Sequence, residues 1–466
     1  INKLLTKKTK KIMRKIDIHH LIDNAKFNRF HWMVLFWSAL IIIFDGYDLV
    51  IYGVVLPLLM EKWNLTPLEA GTLGSYALFG MMFGALIFGT LSDKIGRKKA
   101  IIICIFLFSG FTFVTGFAET PLQFGILRFL AGLGIGGVMP NVVALMTEYS
   151  PKKIRSTLVT IMFSGYSVGG MLSAGLGIVL IPNFGWQSVF YVGLVPILLL
   201  PLIIKFLPDS VGFLVKQGRI DESVIILSKI DPTYIPQKGD DLEIGGEKIK
   251  GASVAKLFKH NRAASTIMFW VAFFCCLLMV YGLNSWLPKL MNKAGYELGS
   301  SLTFLLVLNF GAILGAVGGG WLGDKFNLKT VLISFFAVAA ISLSLLGFKN
   351  STLVLYILIA IAGATTIGTQ ILCYAYVAQY YPINIRSSGI GWASGIGRIG
   401  AILGPVLGGT LMSLEMPFEY NFVAFAVPGA IGALAVCFIS VKHSHDKKTE
   451  FEKLQLAQLQ TIVTEE

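Results

Sequence analysis

Charged residues are scarce in this 466-residue chain: Asp, Glu, Lys and Arg together make up 14% of it, whereas hydrophobic residues make up 55%. A soluble protein of this length could not bury so much apolar surface, and the mean hydropathy of +0.72 is typical of a helical protein that crosses a membrane repeatedly. The hydrophobic runs are continuous rather than alternating, which excludes a membrane β-barrel. Composition therefore predicts an all-α polytopic membrane protein.

Cysteine and histidine are rare as well, with five and six residues respectively. The cysteines lie inside hydrophobic runs and lack the spacing of a zinc site or a disulfide framework. The histidines lie outside these runs or at their rims, so any buried proton carrier would have to be a carboxylate. No Walker-type phosphate loop and no nucleophile–base pair emerges, and we expect neither an enzyme nor a bound cofactor or metal.

About twelve hydrophobic runs are long enough to cross a bilayer as helices, and a polar stretch divides them into two sets of six. The polar stretch contains an amphipathic segment and is short for an independent domain. The predicted organisation is a basic cytoplasmic tail at 1–29, a six-helix bundle at 30–207, a cytoplasmic linker at 208–263, a second six-helix bundle at 264–441 and a tail at 442–466.

The net charge of +13 is distributed unevenly across the predicted membrane. If both termini are cytoplasmic, the loops on the opposite side hold only four basic residues: Lys62, Lys289, Lys293 and Lys349. This bias predicts a multi-pass protein of the plasma (inner) membrane with both termini in the cytoplasm. The basic residues are placed as membrane topology requires. The lipid bilayer is therefore an expected partner, and a nucleic acid is not.

An internal repeat with a constant offset of 231 residues relates the two sets of helices. Such an offset, shared by several segments, indicates two duplicated halves in parallel orientation. The matching segments are Leu56–Met60 with Leu287–Met291, Gly89–Lys94 with Gly320–Lys325, and Tyr149–Ser156 with Tyr380–Ser387.

Two aspartates, Asp45 and Asp48, lie near the middle of the first hydrophobic run. A charged carboxylate at the bilayer centre costs about 2.5–3.5 kcal/mol, so such residues face a bundle interior or a wet cavity. Their spacing of three residues places both carboxylates on one helical face, with Tyr52 a turn further along it. The pair indicates either a proton or substrate site in a transporter or a buried structural pair.

Arg128 and Arg398 are the basic residues that fall inside predicted spans. An intramembrane guanidinium needs an anionic partner, which is either a protein carboxylate or a ligand. At the repeat offset Arg128 corresponds to Ile359 and Arg398 to Ser167, so neither arginine is repeated as scaffold residues are. A substrate or coupling role explains this asymmetry, and a permanent structural ion pair is the alternative.

Three motifs carry a resemblance to a known family. Gly89–Lys99 and Arg128–Gly137 resemble signatures of the major facilitator superfamily, and Asp45–Asp48 narrows the resemblance to the aromatic acid:proton symporter family. This resemblance, over about residues 27–441, implies a twelve-helix major-facilitator fold. It also implies alternating-access uptake of an aromatic carboxylate such as benzoate, with H⁺ as the coupling ion, by a functional monomer. Proton-driven export of organic compounds and sensing of aromatic acids without transport are the alternatives.

Within such a transporter, we expect Arg128 to pair with Asp45 or Asp48 in the empty protein and to release it during turnover. Arg398 is then expected to receive the substrate carboxylate. Aromatic faces suit a planar acid, and amides can bond its carboxylate or a ring hydroxyl. The predicted lining residues are Tyr52, Tyr166, Asn284, Trp286, Asn309, Gln370, Tyr374 and Trp392.

A gate is expected where the repeated loop segments meet the cytoplasm. Asp93 can accept backbone N–H groups at a helix start and pair with Arg97. Glu148 is expected to pair with Arg155, with a proton site as the alternative for this carboxylate. The predicted gating residues are Asp93, Arg97, Glu148, Arg155, Asp324 and Arg386.

Overall fold

The computed structural model describes residues 14–237, 240–243, 254–348, 350–415 and 417–441. These ranges form twelve spans that are long and apolar enough to cross a membrane, which confirms the predicted helical membrane fold. Short 3-10 helices occur at Val192–Leu194 and Val254–Leu257.

The first half of the chain contains β1 (Lys15–Asp17), α1 (Ile18–Asn24), α2 (Arg29–Lys62), α3 (Pro67–Ile95), α4 (Arg97–Thr115), α5 (Pro121–Tyr149), α6 (Arg155–Phe184), α7 (Gln187–Tyr191) and α8 (Val195–Phe206). Then follow α9 (Val211–Lys216), α10 (Ile220–Ile230), β2 (Asp241–Glu243), α11 (Ala263–Lys293), α12 (Leu298–Lys325), α13 (Leu328–Leu346), α14 (Thr352–Tyr380), α15 (Ile383–Ser413) and α16 (Phe418–Phe438). The sixth span combines α7, a 3-10 helix and α8, and the last six spans are α11 to α16.

Local sequence signals set both ends of α3. The Thr66 hydroxyl accepts the backbone N–H of Glu69, and the Glu69 carboxylate accepts the backbone N–H of Thr66, with Pro67 at the first helical position. At the other end Gly96 has a φ of +94°, a conformation that a residue with a Cβ rarely adopts. This glycine allows the chain to turn directly from α3 into α4.

Helix packing repeats between the two halves in the way that the duplication predicts. In the first half α2 packs on α6 and α3 packs on α5, while in the second half α11 packs on α15 and α12 packs on α14. Glycines permit these close approaches, since a Cβ at Gly80 would lie 2.1 Å from the carbonyl oxygen of Phe129. A Cβ at the equivalent Gly311 would lie 2.0 Å from the carbonyl oxygen of Ala360.

The halves meet mainly through three helix pairs, α2 with α11, α3 with α15 and α6 with α12. We call the end of the bundle that carries the linker the linker end, and the opposite end the far end. Toward the far end, a Cβ at Gly53 would lie 1.9 Å from the carbonyl oxygen of Asn284, and one at Gly409 would lie 2.3 Å from that of Pro67. The two halves are therefore in backbone contact on the far-end side of the membrane centre.

Residues 14–28 pack against the linker instead of forming a separate tail. β1 pairs in parallel with β2, and the side-chain amide of Asn28 donates to the carbonyl oxygens of Lys229 and Ile230 at 3.0 and 2.9 Å. Ile18 and Ile22 of α1 are buried together with Leu227 of α10. Sequence reasoning treated the tail and the linker separately, because no short-range pattern joins segments so far apart in the chain.

The close approach at Gly53 generates a test of the packing between the halves. Gly53→Ala is expected to push α2 away from α11 and to lower stability by about 1–3 kcal/mol, because the carbonyl of Asn284 occupies the space of the new methyl group. Thermal unfolding and hydrogen–deuterium exchange at the far ends of both helices would measure this. Gly318→Ala is the matched control, since nothing lies within 4 Å of its Cβ position. Equal effects of the two substitutions would contradict this packing.

Candidate substrate and proton site

Asp48 and Arg128 form an ion pair in the interior of the first half. The two side chains are 2% and 1% exposed, and Nη1 of Arg128 lies 2.8 Å from Oδ1 of Asp48. Nη2 of Arg128 donates to the backbone carbonyl of Asp48 at 2.8 Å, and the Thr112 hydroxyl donates to the same Oδ1 at 2.5 Å. Three helices, α2, α4 and α5, thus converge on one carboxylate.

This arrangement resolves one of the sequence predictions. Arg128 does pair with one of the two aspartates, and its partner is Asp48 rather than Asp45. Both charges are removed from solvent, so loss of either one would leave the other buried without compensation. The ion pair joins α2 to α5 in this conformation, and its release during transport stays a prediction.

Asp45 has a different environment, although it lies one helical turn from Asp48. It is fully buried, and neither carboxylate oxygen has a hydrogen-bond partner among the described residues. It interacts electrostatically with Arg398 of α15, a residue from the other half, but the two do not form a direct ion pair in the described structure. Both oxygens of a buried carboxylate thus lack a hydrogen bond to the residues that the structure describes, at the boundary where this carboxylate interacts with an arginine of the other half.

Tyrosine side chains surround Arg398 and Asp45. Arg398 interacts electrostatically with Tyr166 of α6, Tyr281 of α11 and Tyr374 of α14. Its Nη1 also lies 2.8 Å from Sδ of Met81 of α3. Two of these tyrosines, Tyr166 and Tyr374, were predicted to line the site.

Gly46 explains why Tyr166 comes so close to the first helix. A Cβ at Gly46 would lie 2.1 Å from the backbone carbonyl oxygen of Tyr166, so a larger residue would push α6 away from α2. The glycine between the two aspartates therefore brings the Tyr166 segment against the Asp45 turn.

Tyr281 was not predicted from the sequence, because only charged residues were compared between the repeats. At the offset of 231 it corresponds to Val50, so the duplication does not preserve it. The same comparison applied to aromatic residues would have identified it. Tyr281 is buried and interacts with Arg398, Asp45 and Tyr166.

The polar atoms of Tyr52 and Trp286 both bond backbone carbonyls, and contact of these residues with a substrate stays a prediction. The Tyr52 hydroxyl donates to the backbone carbonyl of Ala70, and its ring packs 6.1 Å from that of Phe124 within the first half. The indole N–H of Trp286 donates to the carbonyl of Pro405 at 2.7 Å, with the side chain fully buried in the second half. Each polar atom already has a backbone partner, so both residues hold helices together.

Asn284 and Asn309 are paired with each other at the junction of the halves. Nδ2 of Asn309 donates to Oδ1 of Asn284 at 3.3 Å and to the carbonyl of Leu305 at 3.0 Å. The Asn309 side chain also lies against Gly170 of α6, where a Cβ would be 2.4 Å from its Oδ1. These amides join α11, α12 and α6, and direct contact with a substrate stays a prediction.

The remaining predicted lining residues lie on α14 and α15. Gln370 is half-buried, and its contact with a substrate stays a prediction. Trp392 is 44% exposed and stacks on Trp270 with 6.0 Å between ring centroids. It lies six residues from Arg398 toward the linker end, or about 9 Å along the helix, and its contact with a substrate stays a prediction.

At the linker end, Arg97 pairs with Glu148 and not with Asp93. Oε1 of Glu148 also accepts the Ser210 hydroxyl at 2.8 Å and the backbone N–H of Gly212 at 3.2 Å. Asp93 is exposed at the end of α3, and no ion pair found among the described residues includes it. The predicted Asp93–Arg97 contact is therefore wrong for this conformation, and Glu148 instead fastens α4 and the linker to α5.

Arg155 pairs with Asp23 of the N-terminal segment, which corrects its predicted pairing with Glu148. Its guanidinium also donates to the carbonyl of Ser150 at 3.0 Å, and Arg386 donates to the carbonyl of Tyr381 at 3.4 Å. These two contacts are equivalent in the repeat. Both arginines satisfy a backbone carbonyl at the end of the preceding helix, which is a scaffold role. The side chain of Asp324 lies outside the described residues.

Two duplicated six-helix halves that enclose an acid from one half and an arginine from the other define a membrane transporter rather than an enzyme. Residues 38–319 and 307–464 match the sequence model of the Major Facilitator Superfamily, and the chain belongs to this family.

Known relatives agree with the predicted family. The benzoate transport protein of Acinetobacter baylyi is 51% identical over 434 residues, which cover 92% of this chain and 93% of that protein. The gentisate transporter of Corynebacterium glutamicum is 39% identical over 399 residues, covering 85% and 84% of the two chains. The predicted resemblance to aromatic acid transporters is confirmed.

A solved structure of the xylose transporter XylE from E. coli, in a partially occluded inward open conformation, has a TM-score of 0.67 with this chain. The comparison covers 88% of this chain and 97% of that one at 17% identity, and it shows the shared fold.

The buried ion pair predicts non-additive effects on stability. Asp48→Asn and Arg128→Gln are each expected to destabilise the protein by about 3–5 kcal/mol, because each leaves one charge buried without a partner. The double variant is expected to lose less than the sum of the two losses. Thermal unfolding of the wild type, the two single variants and the double variant would give this double-mutant cycle. Additive effects would show that Asp48 and Arg128 act independently.

Proposed function

We propose that this protein takes up benzoate or a hydroxylated benzoate together with a proton, by alternating access. The observation that carries the proposal is the unpartnered Asp45 facing Arg398 across the boundary between the halves. The two relatives, a benzoate transport protein and a gentisate transporter, support an aromatic carboxylate as the substrate class. The tyrosines around Arg398 supply rings and hydroxyls suited to such a substrate.

In the proposed cycle Asp45 receives the proton and Arg398 receives the substrate carboxylate. A protonated Asp45 no longer competes for Arg398, so the guanidinium is free to bind the carboxylate in bidentate geometry. Tyr281 then contributes its hydroxyl beside Arg398. One proton with one monoanion carries no net charge, so the pH gradient supplies the driving force.

The proposed orientation places the linker end in the cytoplasm of a cell whose plasma membrane holds the protein, with both termini on that side. The positive-inside bias supports this orientation. The far-end contacts at Gly53 and Gly409 then close the outer side, so release would proceed toward the linker end. A functional monomer that needs no cofactor completes the proposal.

Asp45→Asn is expected to abolish benzoate accumulation driven by an inward pH gradient in proteoliposomes, because an amide cannot accept and release the proton. Equilibrium benzoate binding is expected to be retained, because the neutral amide, like the protonated acid, does not compete for Arg398. The thermal unfolding temperature is expected to stay near the wild-type value, since Asp45 has no hydrogen bond to lose. Asp221→Asn, on the exposed surface of α10, is the matched control.

Each outcome separates the functions considered. Gradient-driven accumulation by the Asp45→Asn variant would contradict the role of this residue. Wild-type accumulation that persists when every ion gradient is collapsed would contradict proton coupling. Extrusion of preloaded benzoate under the same inward pH gradient would indicate a proton-driven exporter, and binding without any transport would indicate a sensor.

The role of Arg398 as the carboxylate partner is tested with two competitors of similar shape, one charged and one neutral. Benzoate is expected to displace labelled benzoate from the wild type, whereas benzamide, a neutral molecule of similar shape, is expected to compete at least about tenfold less well because it lacks the carboxylate. Arg398→Gln is expected to lower benzoate affinity and to remove the difference between the competitors. A variant that still prefers benzoate by the wild-type ratio would exclude Arg398 as the carboxylate partner.

A further inference from the structure

A second cavity lies at the linker end, away from the Asp45–Arg398 site. Its volume is about 420 Å³, and it is bounded by the start of α2, the start of α4, the end of α8 and the linker. Neither the transport proposal nor the repeat accounts for it. We call it the linker-end cavity, and its charged lining residues are Lys98, Lys99, Lys205, Asp209, Arg219, Glu222 and Lys229.

The acidic residues leave most of the positive charge of this cavity uncompensated. Glu222 is occupied by Arg219, whose Nε and Nη2 donate to its two carboxylate oxygens at 2.7 and 2.6 Å. This pairing raises the pKa of Arg219 and lowers the pKa of Glu222, because the hydrogen bonds favour both charged forms. Asp209 then remains as one carboxylate among four lysines.

The four lysines come from three separate parts of the chain. Lys98 and Lys99 lie in the first turn of α4, Lys205 lies in the last turn of α8, and Lys229 lies in the last turn of α10. None of them forms an ion pair in the part of the chain that the structure describes. Lys98 is half-buried, and the other three are exposed. Several cations that converge on one cavity with so little compensation favour an anionic ligand.

The wall of the cavity is apolar and continuous with the membrane-facing surface. Ile102 follows the lysines on α4, and Met33 lies on the first turns of α2. Ile204 and Phe206, at the end of the sixth span, are 46% and 38% exposed. Lys98 and Lys99 lie one turn from Ile102 at the linker end of α4, and Lys205 lies between Ile204 and Phe206 at the linker end of the sixth span. These lysines are therefore next to apolar side chains at the ends of these spans, where a span leaves the membrane.

We propose that the linker-end cavity binds the headgroup of an anionic phospholipid, with its acyl chains along Ile102, Ile204 and Phe206. The lysines provide the cations that a lipid phosphate requires at a membrane surface, and the apolar wall provides contacts that a soluble phosphate compound could not use. Because α10 belongs to the linker and α4 and α8 to the first half, the bound lipid joins the linker to the membrane-embedded bundle.

The test compares lipid retention by the full-length protein. The protein is reconstituted in nanodiscs of phosphatidylcholine with a minor fraction of phosphatidylglycerol, and the lipids that remain bound after detergent release are counted by native mass spectrometry. The wild type is expected to retain one phosphatidylglycerol in preference to phosphatidylcholine. Replacing the exposed lysines, as Lys99→Gln, Lys205→Gln and Lys229→Gln together, is expected to reduce this preference by about tenfold or more.

A matched triple variant removes the same charge at the same end but outside the cavity. It carries Lys152→Gln, Lys153→Gln and Lys216→Gln, all exposed side chains, and is expected to retain the wild-type preference. An equal loss in both triple variants would show diffuse surface attraction and overturn the proposal, as would a wild type without preference. Displacement of the lipid by millimolar glycerol phosphate would also overturn it, because the ligand would then be a soluble phosphate. Equal unfolding temperatures of the variants would exclude loss of folding as the cause.

Discussion

The ion pair between Asp48 and Arg128 is the interaction on which the centre of the first half depends. A guanidinium in the middle of a membrane bundle is tolerated only with a carboxylate and enough acceptors around it, and here α2 supplies both a side chain and a backbone carbonyl. Thr112 brings α4 to the same carboxylate. Because Arg128 is engaged with Asp48, the neighbouring Asp45 is left to interact with the other half, and the division of roles that we propose follows from this.

Much of the architecture was predictable from the sequence. Hydropathy identified the spans, the offset of 231 identified the duplication, and the cost of intramembrane charge singled out Asp45, Asp48, Arg128 and Arg398. Which aspartate pairs with Arg128 was not predictable, because both carboxylates lie on one helical face and the choice depends on how far α5 lies along α2. Tyr281 was not predicted because a tyrosine carries no charge, so its place in a hydrophobic run does not indicate the free-energy cost that singled out the charged residues.

The linker end was harder to predict than the centre, and the residues that were assigned wrongly show why. Arg97 and Asp93 are near each other in sequence, so a local pair was the simplest expectation, yet Glu148 and the linker are brought to Arg97 only by the tertiary fold. Arg155 and Arg386 make equivalent hydrogen bonds to backbone carbonyls at helix ends, which explains their repetition by backbone geometry, while their gating role stays a prediction. Contacts between segments distant in sequence leave no periodic signal.

The placement of Asp45 and Arg398 on different halves has a thermodynamic consequence. In the proposed cycle the attraction between them acts across a boundary that opens and closes, so it contributes to the free-energy difference between conformations in which the halves are near or apart at this depth. Adding a proton to Asp45 removes that contribution. By linkage, a conformation that draws the halves together must in turn bind the proton less tightly, and a conformation that separates them must bind it more tightly. The same coupling free energy then determines how protonation of Asp45 shifts the conformation and how the conformation shifts the proton affinity of Asp45.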